Sequence, residues 1–124
     1  MAYDRNNIFA RIIRGEIPCK KVYEDEFAFA FQDINPQAPV HVLVLPEHHV
    51  DTFREVGELG GGETHRMLEF VADTARGAGL EDYKVQVNVG PSAGQTVFHL
   101  HWHILGRRPF HDEVRPHTTE VTEL

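Results

Sequence analysis

The sequence predicts an α+β domain built on a sheet of about five antiparallel strands, with one long helix and one or two short ones. Three observations lead there. Short alternating or β-branched runs recur between polar turns, one long stretch carries a 3.6-residue apolar period, and no internal repeat or low-complexity tract interrupts them. With 124 residues the chain suits a single domain, expected over 1–124 with its core at 7–106 and an irregular tail at 107–124.

Each element has its own local reason. Asn6 and Asn7 can cap a short helix carrying Ile8, Phe9, Ile12 and Ile13, which Gly15 and Pro18 bring to an end. Residues 21–23 and 27–31 read as strands around the polar turn Glu24-Asp25-Glu26. In the second, Phe27, Phe29 and Phe31 are expected on one face at period two. Pro36 and Pro39 make 35–39 a loop, and the apolar run 41–45, closed by Pro46, fits a central strand. Residues 52–58 form a short helix that Gly60-Gly61-Gly62 is expected to break. Over 63–78 the pattern Met67, Leu68, Val71, Ala75, Ala78 marks the longest amphipathic helix, ended by Gly79. Residues 83–89 and 97–105 alternate as the last two strands.

Bulk properties narrow the function. Twelve Lys and Arg against 19 Asp and Glu give a formal net charge of −7, which disfavours a nucleic-acid polymer or an anionic membrane as partner. One phosphate can still be held by backbone N–H groups and imidazoles in a pocket. No apolar run approaches the ~20 residues that span a bilayer, and residues 1–7 carry no secretory apolar segment. The single cysteine, Cys19, has no internal disulfide partner, so a reducing cytoplasm is the expected location. Nine histidines are many for this length, and their placement has to decide between metal binding and catalysis.

That placement is specific. In His99-Leu100-His101-Trp102-His103-Ile104 the three imidazoles alternate with apolar residues, so a strand would present them on one face. Phe98, Leu100, Trp102 and Ile104 would anchor the other face in the core. A neutral imidazole is nucleophilic near neutrality and can attack phosphorus, splitting one displacement into two steps through a histidyl intermediate. His-x-His on a strand is equally good geometry for zinc or copper, and on spacing alone the two readings stand level. A histidine-rich surface strand fits less well, because the reverse face is so apolar.

The arrangement resembles the histidine triad superfamily, whose signature alternates three histidines with apolar residues. The segment upstream resembles its Hint branch in particular, the purine nucleoside phosphoramidases. Ile8-Phe9-Ala10-Arg11-Ile12-Ile13-Arg14-Gly15 resembles that branch's opening helix, and Phe31-Gln32-Asp33-Ile34-Asn35-Pro36 followed by His41-Val42-Leu43-Val44-Leu45-Pro46 its central loop and strand. Asn88-Val89-Gly90 and Gly94-Gln95-Thr96 follow in the same order, so the likeness runs from about Ile8 to Gly106.

The resemblance implies hydrolysis of the P–N bond in AMP or GMP derivatives through a nucleotidyl adduct on His101, with no cofactor and no metal. It implies His99, His103 and His41 as supporting imidazoles. Asn88, Gly94, Gln95, Thr96 and His103 would surround the phosphate, Asp33 would take the ribose hydroxyls, and Ile8, Phe9, Ile12, Phe31, Ile34 and Leu43 would line the base pocket. From the residues alone, Asp33 is an Asx-type turn and the six apolar side chains are plain core. Relatives with a structural zinc use a Cys-x-x-Cys near the start, where this chain has Asn7-Ile8-Phe9-Ala10. The resemblance also implies a homodimer, while the tail departs from the family pattern. His48 and His49 are expected at the solvent, and His65, His111 and His117 have no partner at useful spacing. A dinucleoside polyphosphate hydrolase of the fragile-histidine type and a non-catalytic nucleotide-binding interaction protein are the alternatives.

Overall fold

Antiparallel pairing joins β1 (Lys21–Glu24), β2 (Ala28–Gln32), β3 (Val40–Pro46), β4 (Tyr83–Gln86) and β5 (Trp102–Gly106) into one sheet of order β1-β2-β3-β5-β4. A computed structural model describes residues 3–109; the remainder of the expected tail, with His111 and His117, lies outside the described residues. Two helices complete the α+β architecture: α1 (Ile8–Ile13) and the long α2 (Gly60–Gly77). Tight 3-10 turns at Phe53–Leu59 and Pro91–Ala93 fill the connections.

The sheet has two unlike faces, because alternate residues of each strand point opposite ways. Ala28, Ala30, Val42, Val44, Trp102 and Ile104 pack beneath Met67, Phe70, Val71 and Ala75 of α2. Phe29, Phe31, Leu43 and Leu45 face the other way and receive Phe9 and Ile12 of α1. Phe27 departs from expectation. It precedes β2 and joins the α2-side core, so only Phe29 and Phe31 share a face. Leu68 likewise lies on the solvent side of α2, well exposed. Among the described residues, no helix is long and apolar enough to cross a membrane.

Three boundaries differ from the sequence expectation for physical reasons. Gly60, at φ +81°, turns the chain between the 3-10 segment and α2, but Gly61 and Gly62 lie inside the first helical turn. The first-turn amides have no intrahelical partner to lose, so glycine is tolerated there. The last strand starts at Trp102 rather than Val97. Its neighbour β3 ends at Pro46, which has no N–H to continue the ladder, and the Leu100 amide instead donates to the Val50 carbonyl at 2.7 Å. β4 stops at Gln86, opposite His103, because one residue further on its partner strand is running out.

α1 is short and leans on its cap. The Asn7 side chain accepts from the Ala10 amide at 2.9 Å. Asn7→Ala is expected to destabilise the fold by about 1 kcal/mol, read as a lower urea midpoint. An unchanged midpoint would mean that packing of Phe9 and Ile12 alone holds the helix.

Candidate active site

The histidines are placed by β3 and β5, which run side by side at the centre of the sheet. In the register Leu43 faces His103 and His41 faces Leu105, so His41 and His103 are diagonal neighbours on the α1 side. Their rings touch: His41 Nε2 and His103 Nδ1 are 2.9 Å apart. The Gln37 amide donates to His41 Nδ1 at 2.9 Å. In a neutral ring the proton then resides on His41 Nε2, which donates to His103 Nδ1, and His103 keeps its own proton on Nε2. His103 Nε2 is buried and, among the described residues, has no hydrogen-bond partner, so one donor of the cluster is left over.

His101 is set by a different contact. Its Nδ1–H donates to the carbonyl of His99 at 2.7 Å, which leaves Nε2 with a lone pair. The ring is almost fully buried, meets the Phe9 ring edge-on at 4.9 Å and lies 5.1 Å from the His103 ring. Only His103 of the three sits within β5. The expectation of three imidazoles on one strand face is corrected accordingly, since 97–101 is not strand. Inward burial of Leu100, Trp102 and Ile104 survives that change, whereas Phe98, expected with them, is only part-buried and outside both core clusters. His99 turns away from the cluster: its Nε2–H donates to the Pro46 carbonyl at 2.7 Å, and Tyr3 covers its other nitrogen.

All four rings are held neutral. Burial pushes His99 and His103 down to about 4, with the His101 and His41 rings adding to the effect at His103. Burial also lowers His101 and His41, against the pull of Asp33. Asp33 Oδ2 lies 3.4 Å from His41 Nε2, while its Oδ1 accepts from the Asn35 amide at 2.9 Å. The Asx turn read from the sequence is present, and one carboxylate oxygen remains beside the cluster.

The other candidates divide into groups. Phe9, Ile12, Phe31 and Leu43 form one apolar cluster, with Phe9 against His101. Ile8 is half-exposed, and Ile34, 86% exposed, is not packed into it. Asn88 accepts from Gln86 Nε2 at 3.2 Å and crosses close to Gly94, whose φ of +98° favours glycine. Thr96 is exposed. Gln95 differs from the rest: it is buried, with Oε1 accepting from the Gly90 amide and Nε2 donating to the Asp51 and Val97 carbonyls. Every polar atom of that side chain is occupied within the protein, so it braces the 90–95 loop. A cavity of about 480 Å³ reaches Asp33 and His41 but none of His99, His101 and His103.

Sequence reasoning missed Gln37, Pro46 and Tyr3 as partners of the imidazoles. Two act through main-chain atoms, which composition cannot reveal. His48 and His49 are solvent-exposed as expected, and His48 pairs with Glu63 at 3.1 Å.

A family model described as the HIT domain matches residues 14–110, and the chain belongs to that family. It is 50% identical over 110 residues to a 13.2 kDa HIT-like protein of Azospirillum brasilense, covering 86% of this chain and 90% of that one. It is 39% identical over 104 residues to the purine nucleoside phosphoramidase of Escherichia coli K12, covering 82% and 87%. Among solved structures, a HIT family hydrolase from Clostridium thermocellum superposes with a TM-score of 0.78 at 40% identity, covering 84% of this chain and 92% of that one.

Proposed function

We propose that the protein hydrolyses purine nucleoside phosphoramidates through a nucleotidyl adduct on His101. The observation that carries this reading is the pairing, among the described residues, of a buried imidazole whose Nε2 is left free with a neighbouring ring whose Nε2–H has no partner. In the first step His101 Nε2 bonds to phosphorus as the P–N bond breaks, and the departing amine takes up a proton from solvent. In the second, water adds to phosphorus and gives its proton back to solvent, the P–Nε2 bond breaks and AMP or GMP departs. The His103 Nε2–H stabilises the phosphoryl oxygens as charge builds, and His41 holds that proton in place; positioned help of this kind is typically worth about 10²–10⁴-fold. Asp33 takes a ribose hydroxyl on its free oxygen, the base lies on the Phe9, Ile12, Phe31 and Leu43 cluster flanked by Ile8 and Ile34, and Asn88, Gly94 and Thr96 border the phosphate. The activity for which the E. coli relative is named supports the P–N substrate. A homodimer formed along β4, an edge strand with all four residues exposed, completes the proposal.

A second reading has one specific observation in its favour. Asp33, His41 and His103 offer three ligand atoms within 4.8 Å of one another, a set that could hold a divalent cation. The hydrogen bond between the two rings would then be replaced by metal bonds. One experiment separates these readings: incubate the protein with an adenosine phosphoramidate, and separately with a dinucleoside polyphosphate, each with and without EDTA. AMP release from the phosphoramidate, undiminished by chelator, is expected. Activity lost with EDTA would replace the proposal by a metal mechanism, and faster cleavage of the polyphosphate would move the substrate to the P–O class.

A further inference from the structure

His99 is completely buried, yet the reaction proposed above gives it no contact with substrate. Its Nε2–H is spent on the Pro46 carbonyl, so the neutral ring presents a lone pair at Nδ1. A buried acceptor left without a donor is costly. The Tyr3 hydroxyl lies 2.5 Å from that nitrogen. Burial pushes the Tyr3 hydroxyl up from its ordinary value, so it keeps its proton and donates.

Tyr3 is itself well held. Its ring stacks on His49 at 4.7 Å and 7°, and meets the His99 ring edge-on at 5.6 Å. Behind it, the Asn7 amide and side chain both donate to the Asp4 carbonyl, and Arg14 donates to the Arg5 carbonyl at 2.8 Å. Residues 3–9 thus act as one strap, with a hydroxyl on His99 at one end and the Phe9 ring on His101 at the other.

We propose that Tyr3 is a positioning residue for the nucleophile, acting through His99. Its hydroxyl donates to the one His99 nitrogen that the Pro46 carbonyl does not hold, so the ring is clamped from both sides and fixes the residue whose carbonyl accepts from His101 Nδ1. Without it, the Pro46 carbonyl still keeps the proton on Nε2, but the buried Nδ1 lone pair has no donor, the ring tilts, and the His101 acceptor shifts.

The kinetic side of this inference rests on the proposed phosphoramidase reading; the spectroscopic side does not. Tyr3→Phe keeps the ring on His49 and removes only the hydroxyl, whereas Tyr3→Leu removes both. With an adenosine phosphoramidate, both variants are expected to lose kcat about tenfold, one hydrogen bond's effect, with KM little changed because His99 does not touch substrate. In imidazole ¹H–¹⁵N correlations the His101 Nδ1–H signal should move upfield and exchange faster with solvent in Tyr3→Phe than in the wild type, while His99 stays Nε2–H in both. Wild-type kcat in Tyr3→Phe with loss only in Tyr3→Leu would reduce Tyr3 to packing and overturn the proposal. Should the wild type cleave no phosphoramidate, the function reading fails, and the spectra still decide: a shifted, faster-exchanging His101 Nδ1–H in Tyr3→Phe supports the strap, an unchanged one overturns it.

Discussion

Replacing His101 by asparagine is expected to lower phosphoramidate turnover by ~10⁴-fold or more, because removing a covalent nucleophile forfeits the stepwise path. Asparagine can still donate to the His99 carbonyl, so the local backbone keeps its partner. What it lacks is a second nitrogen with a lone pair. The wild type, quenched within a turnover, should carry one nucleotide on His101 by peptide mass spectrometry, and the variant none. The two proteins should share a urea midpoint, showing that the fold is intact. Turnover by the variant within tenfold of wild type, or an adduct on His103, would remove His101 from the centre of the reaction.

Acid should unfold this protein earlier than its carboxylates alone would require. His99 and His103 sit at about 4 in the fold against an ordinary 6.5. Between those values the unfolded chain binds protons that the native rings refuse, so stability rises with pH there. The contribution is fully present above pH 6.5 and is lost as pH falls toward 4. For His99 alone that interval corresponds to about 3 kcal/mol; His103, partly exposed, adds less. Urea unfolding at about pH 7, 5.5 and 4.5 should give a falling series of midpoints. A His99→Leu variant should flatten it. A wild-type midpoint that stays level over this range contradicts the burial and neutrality of His99.

The sheet was legible because its strands carry their burial pattern openly. Val42 and Val44 against Leu43 and Leu45 alternate cleanly, and the period of Met67, Val71 and Ala75 marks α2 without ambiguity. Boundaries were less legible where a neighbour decides them. Residues 97–101 look like strand, and only the proline across the ladder at position 46 ends the pairing before them. Phe27 carries the right period but falls outside β2, so period alone misassigned its face.

Within the candidate site, the residue types were readable and their bonding was not. The grouping of His41, His101 and His103 is present as expected. Gln95 illustrates the limit: by type it is a free polar donor beside a glycine, yet its buried side chain is consumed by three main-chain groups. Gln37 and Tyr3 left no mark in any spacing, because each reaches its imidazole through loop geometry.

The imino acid at the end of β3 reaches further than the ladder it terminates. Had the two central strands zipped one rung more, the Pro46 oxygen would be committed to pairing. Instead that oxygen, and the one at His99 just outside the sheet, each capture a ring hydrogen. Which nitrogen of each imidazole is bare is thereby dictated by rigid backbone rather than by solvent or by neighbouring charges. A change of salt or of bound ligand should leave that choice untouched.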